Sequence, residues 1–189
     1  MTAAALHGTV AGLHVWRAGM DAPEPVDPLV LDHGGPVGDR HHGETMASDV
    51  RQRWLYSEGT QIRNNRQVTV VDAGELAQVA SRLGLDELAP GTIADNICTT
   101  GIDALTGLVP MTRLLFVRAT GDLGAVIVIG GENLPCTIAG ALVADRYGTR
   151  PEKFPKASIH LRGVSGWVER AGEIRVGDGV RVVPPRPTA

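Results

Sequence analysis

Apolar and polar positions alternate along this chain in short runs, and most runs are closed by glycine or proline. Gly8–Trp16 sets the pattern: Val10, Gly12, His14 and Trp16 fall on one side, which predicts an opening strand. Pro23, Pro25 and Pro28 then break the alternation. Their fixed φ and missing N–H groups exclude both helix interior and central strand, so Asp21–Pro28 reads as a surface loop. Leu29–Leu31 resumes as a short strand and runs into His33–Gly43, a segment too rich in glycine for regular structure. Ala47–Tyr56 is expected to form a short helix. Val68–Val71 reads as a buried strand leading into a helix that Asp72 caps, with Glu75 placed as in a capping box and Gly84 ending the helix after Leu83. Further strands are expected at Arg113–Val117, Ala125–Ile129, Ile159–Arg162, Gly166–Glu169 and Val180–Val183. Strands outnumber helices. The pattern predicts a mainly β (α+β) fold, a closed or nearly closed β-barrel with a few short helices outside it, in a single domain over 1–189 whose site-bearing core spans 8–183.

Composition narrows the partners. A chain of 189 residues buries a sizeable core without metals or disulfides. Its 18 Lys+Arg against 21 Asp+Glu include no basic run that would neutralise a series of phosphates, so nucleic acid is not expected. Met1–Trp16 lacks a cationic start and an unbroken apolar stretch, and Leu123–Ile129 is far shorter than the ~20 residues a spanning helix needs. A cytoplasmic protein with no membrane partner is expected. With Gly 24, Pro 12 and aromatics at 4%, the core must be filled by aliphatic side chains, which suits short strands.

Two cysteines carry the first candidate chemistry. A reducing cytosol disfavours a structural disulfide between them. Cys136 follows Pro135, which marks a helix start, and Ile138, Leu142 and Val143 continue at helical spacing. A thiol in the first turn of a helix feels the positive end of the dipole and nearby free N–H groups, which favour thiolate; such a group attacks sulfur or binds a soft metal. The alternative is one more small buried hydrophobe. Cys98, in the β-prone run Asn96–Thr100, reads as structural packing.

Gly38-Asp-Arg-His-His-Gly43 sets an acid, a fixed cation and two imidazoles between glycines. Arg40 can take a phosphate bidentately, while Asp39, His41 and His42 are candidate proton-transfer groups. Zinc is the other chemistry adjacent histidines suggest, although spaced third and fourth ligands are missing. The structural alternative is an Asp39–Arg40 pair bracing a tight loop. Arg63-Asn-Asn-Arg-Gln67 adds two cations and amide donors before the Val68 strand, and Arg162-Gly-Val-Ser165 adds a cation and a hydroxyl.

Taken in order, Gly38–Gly43, Arg66–Asp72, Pro90–Ile97, the Leu105–Pro110 turn, Leu134-Pro-Cys136, Arg162-Gly163 and Gly177–Val180 resemble the MOSC family, named for the molybdenum cofactor sulfurase C-terminal domain. The resemblance covers most of the chain and implies a β-barrel in which Cys136 faces a cleft also lined by Asp39–His42. The family's usual Glu-Asn-Ile stands here as Asp95-Asn96-Ile97, which keeps the charge with a shorter reach. Family members handle sulfur and molybdenum: some bind molybdenum cofactor, and in the amidoxime-reducing relatives the matching cysteine coordinates the metal. The chain has neither a cysteine desulfurase domain nor the extra N-terminal barrel of the reductases, so a stand-alone module is expected.

The resemblance implies a molybdopterin-type cofactor, with Cys136 as metal ligand or persulfide carrier and Arg40, Arg66, Asn96, Arg162 and Ser165 as cofactor-binding residues. An enzyme of this kind would transfer sulfur to the metal or reduce an N-oxygenated substrate. Its partner would be a cysteine desulfurase, which uses pyridoxal phosphate, or another sulfur donor, or an electron-transfer protein. A non-catalytic sulfur or cofactor carrier is the second reading. A cysteine hydrolase, with Cys136 as nucleophile and His41 or His42 as base, is the third.

Overall fold

A computed structural model describes residues 7–185; the first part of the stretch read for a leader, 1–6, and the end of the proline-rich tail, 186–189, lie outside the described residues. In chain order the strands are β1 (Gly8–Val15), β2 (Glu24–Pro25), β3 (Leu29–Asp32), β4 (Gly35–Pro36), β5 (Thr45–Ala47), β6 (Gln61–Arg63), β7 (Val68–Asp72), β8 (Ile97–Thr100), β9 (Arg113–Val117), β10 (Leu123–Glu132), β11 (Val164–Arg170), β12 (Gly172–Ile174) and β13 (Gly179–Val183). The helices are α1 (Ala73–Leu83), α2 (Thr137–Tyr147) and α3 (Lys153–Ala157).

Seven of the strands close a barrel in the order β1-β13-β9-β10-β11-β7-β8, and β8 returns to β1. Closure leaves no free edge along this sheet. Every pairing around the ring is antiparallel except β7 with β8, where α1 lies in the connection that a parallel pair requires. Leu13, Leu114, Phe116, Ile127, Ile129 and Val180 point inward and fill the barrel with aliphatic side chains and one aromatic ring. A second apolar cluster lies outside the wall, where Leu76 and Val79 of α1 meet Val143 of α2, Phe154 of α3 and the buried thiol of Cys98. Burial, with Asp95 and Asp72 nearby, pushes that thiol up to about 12, which leaves it a small packed group.

Local signals place α1 as expected. Asp72 is its N-cap and accepts from Gly74 N–H at 2.9 Å, and Gly84 ends it in the left-handed conformation at φ 72°. Glu75, however, closes no capping box. Its carboxylate accepts from Thr106 N–H at 2.9 Å and from Thr106 Oγ1 at 2.6 Å, and Thr106 Oγ1 in turn accepts from Gly163 N–H at 2.7 Å. Burial raises the Glu75 carboxyl, against the pull of these hydrogen bonds. The relay ties α1 to the residue that follows Arg162.

Other expectations are corrected too: the proline loop and the glycine-rich segment hold the short strands β2 and β4. A register shift between Val10 and Gly12 puts a bulge in β1, so Val10, Leu13 and Val15 face the core rather than Val10, Gly12 and His14. Ala47–Tyr56 forms no helix: Ala47 closes β5, and the rest is a string of turns in which the Asp49 carboxylate accepts from Arg51 N–H and competes with helical bonding. Ile159–Arg162 is a turn after the unforeseen α3, with His160 left-handed at φ 59°, because Ser158 and Leu161 N–H groups bond back to Phe154 and Ser158.

Gly163 (φ 74°) runs so close to β7 that an added Cβ would lie 2.0 Å from the Val70 carbonyl oxygen. Gly163→Ala is expected to cost about 2–5 kcal/mol in urea unfolding, the sum of left-handed strain and a backbone clash. Gly121→Ala, at φ 88° with open space around it, should cost only about 1–2 kcal/mol. Equal costs would show that Gly163 is not a close contact.

Candidate active-site cleft

A cleft of about 430 Å³ opens between the residue 40–46 segment, the β5–β6 hairpin, the start of β7 and the N-terminal end of α2. Cys136 sits half-buried on its wall. It occupies the N-cap position of α2 rather than its first turn, with extended backbone (φ −141°) and no side-chain cap to the helix. The first N–H groups of α2 are therefore left without an intrahelical partner beside the thiol.

Opposite charge does not balance the cations here. Arg40, Arg51, Arg66 and Arg162 line the cleft, and among the described residues only Arg51 is in an ion pair, with Asp49. Arg66 Nη2 donates to Asn133 Oδ1 at 3.1 Å, and Arg162 Nη1 donates to the same oxygen at 3.3 Å. Arg162 is buried and otherwise meets only carbonyl oxygens, of Leu134 and Ile93, while its Nε is buried with no partner among the described residues. Burial, with Arg51 and Arg162 as like-charged neighbours, pulls the Arg66 guanidinium down. Burial likewise pulls Arg162 down, against its electrostatic interaction with Cys136. Arg40 Cζ lies over the Trp16 ring, 4.3 Å from its centroid, a cation–π contact that holds the guanidinium at the cleft wall.

The Gly38–Gly43 loop is braced from within. Asp39 is buried and accepts from Trp16 N–H (2.9 Å), Asn96 Nδ2 (3.0 Å) and His41 N–H (2.8 Å), and His41 Nδ1 lies 3.1 Å from the same carboxylate. Burial alone would raise this carboxyl; hydrogen bonds from His41 and Trp16 outweigh it and hold the group below the usual range. Asp39 thus braces the loop through Trp16, Asn96 and His41 and not through Arg40. His41 and His42 reach the cleft, and His42 Nε2 lies 2.8 Å from Asp32.

Of the residues singled out in the sequence, Cys136, Arg40, His41, His42, Arg66, Asn96 and Arg162 line this one cleft. Asn96 arrives with its amide already engaged: Oδ1 accepts from Thr69, and Nδ2 donates to Asp39 and to the His14 carbonyl. Ser165 is buried within β11, paired with Thr69 and Gly131, and does not line the cleft. Asp39 is likewise behind the wall. Trp16, Arg51 and Asn133 were not singled out. Trp16 looked like one more strand position, Arg51 fell inside the stretch expected to be helical, and Asn133 stands two residues before the Pro135–Cys136 pair with no motif of its own. Among the described residues no group of three or more His, Cys, Asp or Glu could hold a metal ion, so the paired histidines have no zinc ligand set around them.

The MOSC domain profile matches residues 36–181. The chain belongs to the MOSC domain family. The YuaD protein of Bacillus subtilis, provisionally named a metal-sulfur cluster biosynthesis protein, is 30% identical over 174 residues, covering 90% of this chain and 88% of the relative. The crystal structure of YuaD from Bacillus subtilis superposes at a TM-score of 0.86 with 28% identity, over 95% of this chain and 97% of that one. YiiM from Geobacillus stearothermophilus (TM-score 0.56, 12% identity, 94% of this chain and 74% of that one) shares the fold. The MOSC match contains the whole cleft except Trp16, while β1, which closes the barrel, lies before it.

Asp39 gives the MOSC loop a testable pH response. A carboxyl held low in the folded chain contributes stability above its unfolded pKa of about 3.9 and loses it as pH falls through the folded value. Asp39→Asn is expected to cost about 1–3 kcal/mol near neutral pH and to converge on wild type in acid, measured by urea unfolding. Parallel stability curves would rule out this role.

Proposed function

We propose that this MOSC protein handles sulfur for a molybdopterin-type cofactor, binding that cofactor or its sulfur through Cys136. The observation that carries the reading is the pair of guanidinium groups of Arg66 and Arg162, which line the same cleft as Cys136, share one Asn133 oxygen and ion-pair with no carboxylate among the described residues. Unneutralised cations in a partly dry cleft call for an anionic ligand, and a thiol beside them calls for soft chemistry.

The residues present fit such a group. The cleft lies in the size range of cofactor sites, about 300–1,000 Å³. Arg66 and Arg162 would hold a phosphate, the unpartnered Arg162 Nε offers one more donor, the Trp16–Arg40 shelf would carry a flat ring, and Cys136 would present sulfur. A bound cofactor would supply the redox chemistry of its metal. This chain binds and orients: cations fix the anionic end, and α2 aims the thiol. A sulfur donor such as a cysteine desulfurase, or a separate electron-transfer protein, completes either form of the activity. The YuaD name, a role in metal-sulfur cluster biosynthesis, points to sulfur handling and favours the carrier form.

The hydrolase reading has less support. His41 and His42 face Asp39 and Asp32, and no hydrogen bond joins either ring to Cys136 among the described residues.

The test is elemental and mass analysis of protein expressed with an active molybdenum cofactor pathway. Wild type is expected to carry molybdenum with pterin, or sulfane sulfur, and Cys136→Ser to lose it while staying folded. Wild type with neither would overturn the proposal.

A further inference from the structure

Asp49 is the only carboxylate among the described residues that line the cleft, and Arg51 is the only cleft arginine that a carboxylate holds. Both sit in the turns that connect β5 and β6, where the backbone is fixed. Ser48 N–H donates to the Thr60 carbonyl (2.8 Å), Gly59 N–H to the Ser48 carbonyl (2.9 Å) and Asp49 N–H to Gln52 Oε1 (3.0 Å). The side chains are freer. Arg51 keeps 43% of its side-chain surface exposed and Asp49 35%, and the bond to Asp49 Oδ2 is the one hydrogen bond that the Arg51 guanidinium makes among the described residues. Arg113 on the barrel surface, by contrast, grips Glu169 through two bonds of 2.7 Å.

Opening the Asp49–Arg51 pair costs little. An exposed ion pair with a single contact favours its closed form by roughly fivefold or less. Release does not orphan the carboxylate either, because Asp49 Oδ1 accepts from Arg51 N–H at 2.8 Å, a backbone bond that stays when the guanidinium leaves. The other cleft arginines are tied down. Arg66 and Arg162 donate to Asn133 Oδ1, Arg162 donates also to main-chain carbonyls, and Arg40 packs on Trp16. Arg51 nevertheless acts on Arg66 and Arg162 as a like charge, so an anion drawn to those two stands within its field.

We propose that Arg51 is a tethered anion-binding residue, held off the site by Asp49 until a doubly charged oxyanion group takes the place of the carboxylate. The proposal rests on the reading of the cleft as a site for an anionic cofactor. Charge decides what the tether admits. A singly charged group offers Arg51 no more than Asp49 already does, so it binds with the pair closed. A phosphate monoester carries about −1.5 to −2 near neutral pH, attracts the guanidinium more strongly than one carboxylate and forms charge-assisted hydrogen bonds with it. The pair thereby selects dianions over monoanions in a cleft that Arg66 and Arg162 alone would open to either.

The test is titration calorimetry on the full chain at about pH 8 with two probes of similar shape: phenyl phosphate, a dianion above its second pKa of about 6, and phenyl sulfate, a monoanion. Wild type is expected to bind phenyl phosphate about tenfold or more tighter than phenyl sulfate. Asp49→Asn, which frees Arg51, should tighten phenyl phosphate by up to about fivefold. The deciding variant is Asp49→Asn/Arg51→Met, which removes the pair and leaves the net charge unchanged. It should bind phenyl phosphate about tenfold more weakly than wild type and phenyl sulfate within about twofold. Wild-type affinity for phenyl phosphate in this double variant overturns the proposal, since the pair then never opens. An equal loss for both probes overturns it too, because no charge selection remains. Arg66→Met separates the two layers. Phenyl phosphate binding that is lost in Arg66→Met but intact in the double variant keeps the anionic cleft and rejects the tether; binding that survives Arg66→Met, or wild type that binds neither probe, overturns both.

Discussion

Two guanidinium groups, from Arg66 at the approach to β7 and Arg162 at the approach to β11, converge on the single side-chain oxygen of Asn133. Like charges this close repel, and burying them without a counter-charge costs more than neutral hydrogen bonds return. Such an arrangement survives only if the surrounding fold fixes it. The fixing is visible: Arg162 is anchored by main-chain carbonyls, and the next residue, Gly163, is pinned against β7 and held through Thr106 by the buried carboxyl of Glu75. The barrel thus carries a destabilising element at the place where an anion would relieve it.

The same logic explains the division of labour among the acids. Asp39, Asp95 and Glu75 are all buried close to the cleft or its supports, yet each is spent on donors behind the wall: Asp39 on the residue 39–41 loop and Trp16, Asp95 on Gly91 N–H, Glu75 on Thr106. Asp95 is raised by burial, against hydrogen bonding from Gly91 and the charge of His14, whose own value burial lowers. Carboxylates brace the walls while arginines face the opening. A thiol at the open end of α2 completes a surface suited to anionic, sulfur-bearing ligands.

Much of this was legible in the chain because the signals were local. Alternating apolar runs gave the barrel strands at Arg113–Val117 and Val180–Val183, the latter one residue short of β13, and Asp72 and Gly84 gave the ends of α1. Cys136 and Arg40 stood out in proline- and glycine-marked segments, whereas Arg66 and Arg162 gained their weight from the resemblance to the MOSC family. What was not legible depended on distance in sequence. The bulge in β1 comes from pairing with β8, Glu75 abandons its own helix for Thr106, and Arg51 reaches the cleft only because the hairpin folds beside it. Asn133 and Trp16 had no motif to betray them: one matters as an oxygen shared by two arginines, the other as a shelf under a third.

The cleft arginines would place Cys136 in a field that selects anions. The most direct measurement is the rate at which Cys136 is alkylated by anionic iodoacetate and by neutral iodoacetamide, each normalised to the same reagents acting on the unfolded chain, with the buried Cys98 as internal control. Folding is expected to raise the iodoacetate-to-iodoacetamide ratio at Cys136 by about tenfold, and Arg66→Met to remove most of that gain. A ratio unchanged by folding, or unaltered in Arg66→Met, would show that the arginines do not set the reactivity of Cys136.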